Sequence, residues 1–411
     1  MSGIQRNAAG AAERAPGASA AGKKKLGIYI HIPFCVCKCA YCDFLSAPAS
    51  AEVMEQYAAS LKQEIRECRE LAEKYTVSTV FFGGGTPSIL PGRTLAGILE
   101  ELLCLLPAEP DVEITVECNP GTLTEEKLDS YRAAGVNRLS IGLQSADDRE
   151  LKLLGRIHTF EEFLENYELA RKKGFGNLNI DLMSALPGQT REGWLRTLER
   201  TAGLEPEHIS AYSLIIEEGT PFYGRYREGA PGYSELPDED TDRLMYEDTK
   251  RFLGERGYTR YEISNYARAG FACRHNLSYW DRTDYKGFGI GAASLLDGVR
   301  YKNSTELAAY LKEDFSYESV LPLSRKDELE ETMFLGLRKM EGVALTAQLR
   351  EIYGELLGKL EREGVLAQDR GRIFLTDRGI DVSNYVLSEF LLDEEMAGCG
   401  LGTEGKERNE G

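Results

Sequence analysis

Four of the nine cysteines fall inside eight residues, Cys35-Val36-Cys37-Lys38-Cys39-Ala40-Tyr41-Cys42. The thiolate is the metal-binding form of cysteine, and so dense a set on one short segment points to metal chemistry. Cys35, Cys39 and Cys42 have the C-x3-C-x2-C spacing. Three thiolates on such a loop can converge on three irons of a [4Fe-4S] cube, leaving the fourth iron open to a substrate or cofactor. A structural zinc site would take ligand pairs from two segments. No second pair exists, since Cys68, Cys104, Cys118, Cys273 and Cys399 are scattered singly. A disulfide framework does not suit a chain of 411 residues with an odd cysteine count. Cys37 lies off the triad and reads as a spectator thiol.

Other chemistry-bearing residues lie at the ends of apolar, strand-like runs. Gly83-Gly84-Gly85-Thr86-Pro87 follows one such run, and its glycines let backbone approach a ligand closely. Glu117 ends the next in Val116-Glu117-Cys118-Asn119-Pro120, and Gln144 ends another in Gly142-Leu143-Gln144-Ser145. Arg156 follows twelve residues later, and Asp181 sits in a fifth run. A carboxylate accepts from ammonium or hydroxyl groups, an amide donates and accepts, and a guanidinium holds a carboxylate in bidentate fashion. Each alone reads as a solvated strand end.

The stretch YIHIPFCVCKCAYCDF resembles the cluster loop of the radical S-adenosylmethionine (SAM) family. Within it, the chain is similar to the HemN/HemW branch, which holds oxygen-independent coproporphyrinogen III oxidase and a heme chaperone. The resemblance runs from about Gly27 to about Glu389. It implies a [4Fe-4S] cluster on Cys35, Cys39 and Cys42, with the SAM amino and carboxylate groups on the open iron. It also implies a SAM-binding set of Tyr29, Gly84, Gly85, Thr86, Glu117, Gln144, Arg156 and Asp181. Met183 to Thr190 resembles the family's strand-to-helix connection. In such a site a reduced cluster gives one electron to SAM and the C5′–S bond breaks; the protein supplies orientation and dryness.

Two positions separate the branches. The oxidase branch has a further Cys two residues after the last cluster Cys, where this chain has Phe44. Downstream, Cys273-Arg274-His275-Asn276-Leu277-Ser278-Tyr279-Trp280 carries one of only four histidines. Imidazole is a heme-iron ligand and aromatic rings shield a porphyrin face; the same segment also reads as a polar loop packed by its aromatics. H-N-x-x-Y-W is similar to the heme-linked motif of the chaperone side. The resemblance therefore implies His275 as a heme ligand, and a chaperone that binds heme, cluster and SAM and hands heme to an acceptor protein. The alternative is coproporphyrinogen III oxidase, which converts two propionates to vinyls. A third reading is a radical SAM enzyme with another substrate.

These residues must be positioned by a regular scaffold. Strand-like runs at Gly27–Ile32, Val77–Phe82, Val112–Glu117, Arg138–Leu143, Leu178–Leu182 and Ile209–Leu214 alternate with helical stretches such as Glu52–Lys74 and Glu161–Lys173. That order predicts an α/β fold with a parallel sheet and right-handed crossovers. It resembles the partial (β/α)6 radical SAM barrel, whose site would lie at the C-terminal strand ends. From about Leu321 the pattern changes. Asp327–Lys339, Thr346–Tyr353 and Glu355–Glu363 read as helices, Gly364–Ala367 and Ile373–Thr376 as a two-stranded wing, and Asp377–Leu391 as a last helix. This resembles a small winged-helix-like α+β domain, expected as a cover over the barrel mouth or a partner surface. The predicted division is a disordered extension over 1–25, the barrel with its heme segment over 26–320, the winged module over 321–392 and a disordered acidic, Gly-rich tail over 393–411.

Composition fits a cytoplasmic protein. A net charge of −18 argues against a nucleic-acid partner, including for the winged module. No run approaches the ~20 apolar residues of a membrane span, and Met1 to Lys25 lacks the apolar stretch of a signal peptide.

Overall fold

A computed structural model describes residues 22–393. The expected disordered segments lie almost wholly outside the described residues. Residues 22–25 and 393 are the exceptions, and of these Lys24 and Lys25 open the first strand rather than belonging to the extension.

Strands β1 (Lys24–Ile32), β2 (Tyr75–Gly84), β3 (Ala108–Cys118), β4 (Arg138–Gln144), β5 (Leu178–Ser184) and β6 (His208–Ser213) are the six expected runs, the first five slightly longer and β6 shifted back by one residue. They pair in parallel in chain order. Their outward residues, such as Leu139, Ile141 and Leu143 on β4, are fully buried because helices cover that face. The alternate residues Arg138, Ser140, Gly142 and Gln144 therefore face the lumen.

The sheet is wider than six strands. β9 (Tyr285–Phe288) adds in parallel beside β1. β10 (Ala293–Leu296), β11 (Val299–Asn303) and β12 (Tyr317–Pro322) continue it antiparallel. β7 (Thr259–Arg260) and β8 (Asn265–Ala267) extend the β6 edge. The order is β12-β11-β10-β9-β1-β2-β3-β4-β5-β6-β8-β7, an open barrel.

Several helices differ from the sequence reading. Glu52–Lys74 is Ala51–Glu67 followed by a separate turn at Leu71–Lys74, because the chain must leave the first helix to enter β2 at Tyr75. The two expected helices around Gly354 are one, Ala347–Arg362. The stripe Leu349, Tyr353, Leu357 and Leu360 is buried throughout, and its packing outweighs the roughly 1 kcal/mol that glycine costs a helix. The last helix is split at Val382 (φ −116°) into Asp377–Asp381 and Ser383–Ser388. The wing has a third strand, Val343–Ala344, paired with Arg372–Ile373.

The C-terminal segment has its own apolar core around Met333, Leu337, Leu360 and Ile373. It does not cover the mouth. The helix Arg274–Trp280 leads into β9, so it lies at the N-terminal end of the parallel strands, opposite the loop that follows β1. The C-terminal segment packs on this end: Lys339 pairs with Asp281, Glu331 bridges Arg282 (2.9 Å) and Arg300 (2.8 Å), and Arg338 lies 4.6 Å from the Trp280 ring centre.

Candidate functional site

The cysteine loop leaves β1 and is pinned at its base. Cys35 N–H donates to Ala47 O (3.2 Å) and Ala47 N–H to Pro33 O (3.0 Å). His31 holds the return: its Nε2 bonds Leu45 O at 2.9 Å while Nδ1 meets Tyr29 Oη at 3.1 Å. Cys35 is buried, Cys39 and Cys42 are half-buried and Cys37 is exposed. Burial raises the Cys42 thiol.

The glycine run packs directly beneath. Gly85 N–H donates to Ile32 O (2.9 Å) and Thr86 N–H to Phe34 O (2.8 Å). Gly84 has φ +114°, and a Cβ there would lie 2.6 Å from His31 Nδ1; one on Gly85 would lie 2.9 Å from Cys35 Sγ. Only glycine fits this approach. Thr86 Oγ1 stands 3.4 Å from Cys35 Sγ and accepts from Asn119 Nδ2 at 2.8 Å.

The carboxylates and the guanidinium meet this loop from the other strands. Glu117 Oε2 accepts from Gly84 N–H at 3.2 Å. Burial, reinforced by the nearby Asp181 charge, pushes its carboxyl up to about 8. Asp181 is capped by Ser140 Oγ (2.9 Å) and Asn179 Nδ2 (2.8 Å), and burial raises it too. Arg156 reaches Gly142 O (2.5 Å), Asn119 Oδ1 (2.9 Å) and Cys39 Sγ (3.7 Å). Gln144 takes φ +72°, a strained backbone for a non-glycine residue.

One cavity of about 370 Å³ is lined by Cys35, Cys39, Cys42, Gly84, Gly85, Thr86, Glu117, Gln144, Arg156 and Asp181. Of the residues singled out in the sequence, it misses Tyr29 and His275. Those line a second cavity of about 240 Å³, deeper in the lumen, which shares Phe44, Gly84, Glu117, Ser140, Asp181 and Tyr212 with the first. Sequence reasoning missed Arg138, Ser140, Asn179 and Tyr212 as lining residues. Their signal was the period of two on β4, β5 and β6 counted back from Gln144, Met183 and Leu214.

His275 sits on the floor of that deeper cavity, buried, and its ring is engaged on both edges. Nδ1 bonds Thr79 Oγ1 at 2.8 Å, Nε2 bonds Tyr279 Oη at 3.1 Å, and the ring stacks on Phe81 at 5.0 Å. Burial, with help from Arg138, holds its pKa down to about 3, so it is neutral. Neutral imidazole is the iron-binding form, but in this arrangement one existing hydrogen bond must break to free a lone pair. Trp280, expected to shield a porphyrin, faces Arg338 instead.

The residues present fit a cubane cluster. Three free thiols on one anchored loop line one cavity beside a guanidinium, and Gly85 leaves room for Cys35 Sγ. Among the described residues no three His, Cys, Asp or Glu side chains group around a single metal ion; a four-iron cube is held by thiolates spaced more widely than that.

Comparison with known proteins agrees. The Radical SAM superfamily model matches residues 29–201, and the HemN C-terminal domain model matches residues 323–382. A heme chaperone HemW of Lactococcus lactis is 39% identical over 383 residues, covering 90% of this chain and 99% of that one. The Bacillus subtilis heme chaperone HemW is 35% identical, covering 88% and 98%. Among solved structures, Escherichia coli coproporphyrinogen III oxidase (HemN), a radical SAM enzyme, superposes with a TM-score of 0.75 over 90% of this chain and 91% of that one, at 23% identity. That last likeness bears on the fold alone.

Proposed function

We propose a function from the premise that this chain belongs to the radical SAM superfamily, in the HemW group: it is a heme chaperone that binds a [4Fe-4S] cluster, SAM and heme. The observation that carries the reading is the lumen itself. Its mouth holds the three spaced thiols and the polar set, and its floor holds His275 and Tyr279, with shared walls between.

On this reading Cys35, Cys39 and Cys42 hold the cluster. Tyr29, Gly84, Gly85, Thr86, Glu117, Gln144, Arg156 and Asp181 hold SAM, and His275 serves heme. Bound together, cluster and SAM supply one-electron cleavage of a sulfonium. This chain's residues do the rest. Gly84 and Gly85, by lacking side chains, let the cysteine loop pack close beside the ligand space, and Glu117 and Asp181 accept hydrogen bonds. Arg156 offers its cation to a carboxylate and to Cys39. The acceptor that takes heme is a protein partner, and the place of action is the cytoplasm. Among the described residues no helix is long and apolar enough to cross a membrane. The segment 321–392 braces the barrel floor in this proposal.

Phe44 favours the chaperone over the oxidase. It is 63% exposed at the mouth, where the oxidase branch has a further thiol. Anaerobic reconstitution followed by parallel assays decides between them. The chaperone reading expects stoichiometric heme binding and no conversion of coproporphyrinogen III to protoporphyrinogen IX. Multiple turnovers to protoporphyrinogen overturn it.

A further inference from the structure

Arg138 opens β4 and turns its side chain into the lumen, where it forms part of the wall of the deeper cavity. Only 2% of it is exposed. Its Nε has no hydrogen-bond partner, and among the described residues no carboxylate makes an ion pair with it. The nearest acids act on it only through space. Glu113 is committed elsewhere: its oxygens accept from Arg274 N–H (3.1 Å), His275 N–H (3.0 Å) and the Cys273 thiol (3.6 Å). Asp181 is capped by Ser140 and Asn179. Arginine stays protonated in proteins. A buried guanidinium without a hydrogen-bonded anion is expensive to keep, and it opens onto a cavity large enough for a short acid arm.

The register says how that arm arrives. Arg138 pairs with Thr115, and Ser140 with Glu117. Arg138 therefore lies one pleat repeat, roughly 7 Å, below the Glu117 level. A group entering from the cysteine-loop mouth passes Asp181 and Glu117 and meets Arg138 near the floor. Glu117 is held mostly protonated at neutral pH, so it does not repel an anion in transit, and the Asp181 carboxylate is occupied by its bonds from Ser140 and Asn179.

We infer that Arg138 is the receptor for a carboxylate arm of the bound molecule, a propionate of the tetrapyrrole, which it takes in bidentate fashion. The tetrapyrrole assignment rests on the heme reading above; the carboxylate site does not. SAM also carries a carboxylate, but Arg156 stands at the mouth beside Cys39 to receive it.

The test uses the full chain and R138M, which keeps the apolar stem, with R138K as the conservative variant. Ferric heme and its dimethyl ester are titrated in parallel. Wild type should bind heme about 10- to 100-fold more tightly than the ester, R138M should bind both equally, and R138K should recover part of the preference. R138M should also melt no lower than wild type, since it removes an unpaired buried charge. An R138M protein that still prefers heme over the ester overturns the assignment. So does a variant that loses SAM binding while keeping that preference, which would give the carboxylate to SAM. Sodium propionate alone, read as a thermal shift against sodium chloride, should stabilise wild type and not R138M. If wild type binds no heme, the chaperone reading fails while this arm still decides Arg138; equal shifts in both proteins overturn the site.

Discussion

The Glu117 carboxyl provides the sharpest quantitative expectation. In the unliganded fold it is pushed up to about 8, by burial first and by Asp181 second. A carboxylate that accepts from the ammonium or ribose hydroxyls of SAM must be ionised. Apparent affinity should therefore scale with the ionised fraction. That fraction is about 1% at pH 6 and about 90% at pH 9, so SAM should bind about 90-fold more tightly at pH 9, or about 2.7 kcal/mol. The assay is equilibrium binding of SAM to the cluster-loaded protein, held anaerobic, across that range. E117Q is measured beside it, because the ligand's own titration is common to both and cancels in the ratio. The ratio should rise with pH and level off above about 8, and D181N should move its midpoint down by removing the like charge. Stability has the opposite sign. The folded carboxyl sits above its unfolded value of 4.5, so the fold is penalised as pH rises from 4.5 through about 8, by roughly 3 to 5 kcal/mol at the top. E117Q should thus stabilise the ligand-free protein at pH 8 to 9 and leave it unchanged near pH 4. A wild-type-to-E117Q ratio that is flat with pH refutes the role given to this carboxyl.

Replacing Cys35, Cys39 or Cys42 with Ala should each abolish cluster loading, whereas C37A should keep iron and sulfide at wild-type levels; loss in C37A with retention in C39A reassigns the ligands. G85A places a Cβ 2.6 Å from Phe34 O and 2.9 Å from Cys35 Sγ, an overpacking worth about 1–3 kcal/mol, so it should lower both the melting temperature and the iron content. H275A should shift the Soret band and weaken heme retention without abolishing it, since porphyrin contacts survive. Y279F removes the partner 3.1 Å from Nε2 and should speed iron ligation; an unchanged spectrum in H275A together with unchanged kinetics in Y279F moves the ligand elsewhere.

Much of this site was legible because its parts obey short-range rules. Cys35, Cys39 and Cys42 share one loop, and their spacing can be read without knowing the fold. Gly84, Glu117, Gln144 and Asp181 each end a recognisable strand, and parallel strands put their ends together. What escaped needed long-range pairing. Arg138 reads in sequence as a polar residue entering a strand; only counting inward from Gln144 by twos places it in the lumen. The helix Arg274–Trp280 reads in sequence as a heme segment, and its place as a floor depends on β9 joining beside β1, a pairing of Gly27 with Tyr285 that no local pattern encodes. The cover over the mouth failed for the same reason: Lys339 and Glu331 reveal nothing of Asp281, Arg282 and Arg300 until the sheet is assembled.

The floor's construction bears on how His275 could meet an iron. His275 is held neutral and doubly hydrogen-bonded inside the lumen, on a helix whose N–H groups are anchored by Glu113 on β3. Just beyond that helix, Asp281 and Arg282 are tied to the C-terminal segment through Lys339 and Glu331. Glu331 is buried, so its bridges to Arg282 and Arg300 are screened less than surface pairs and resist piecemeal loss. The hydrogen bond to Thr79 on β2 and the one to Tyr279 on the same helix together govern whether the imidazole lone pair is free. The mouth, by contrast, is fixed by backbone hydrogen bonds and by glycine contacts too tight to slide. Of the two ends of the lumen, the floor is the one held by side-chain hydrogen bonds and ion pairs, and iron ligation by His275 requires one of those hydrogen bonds to break.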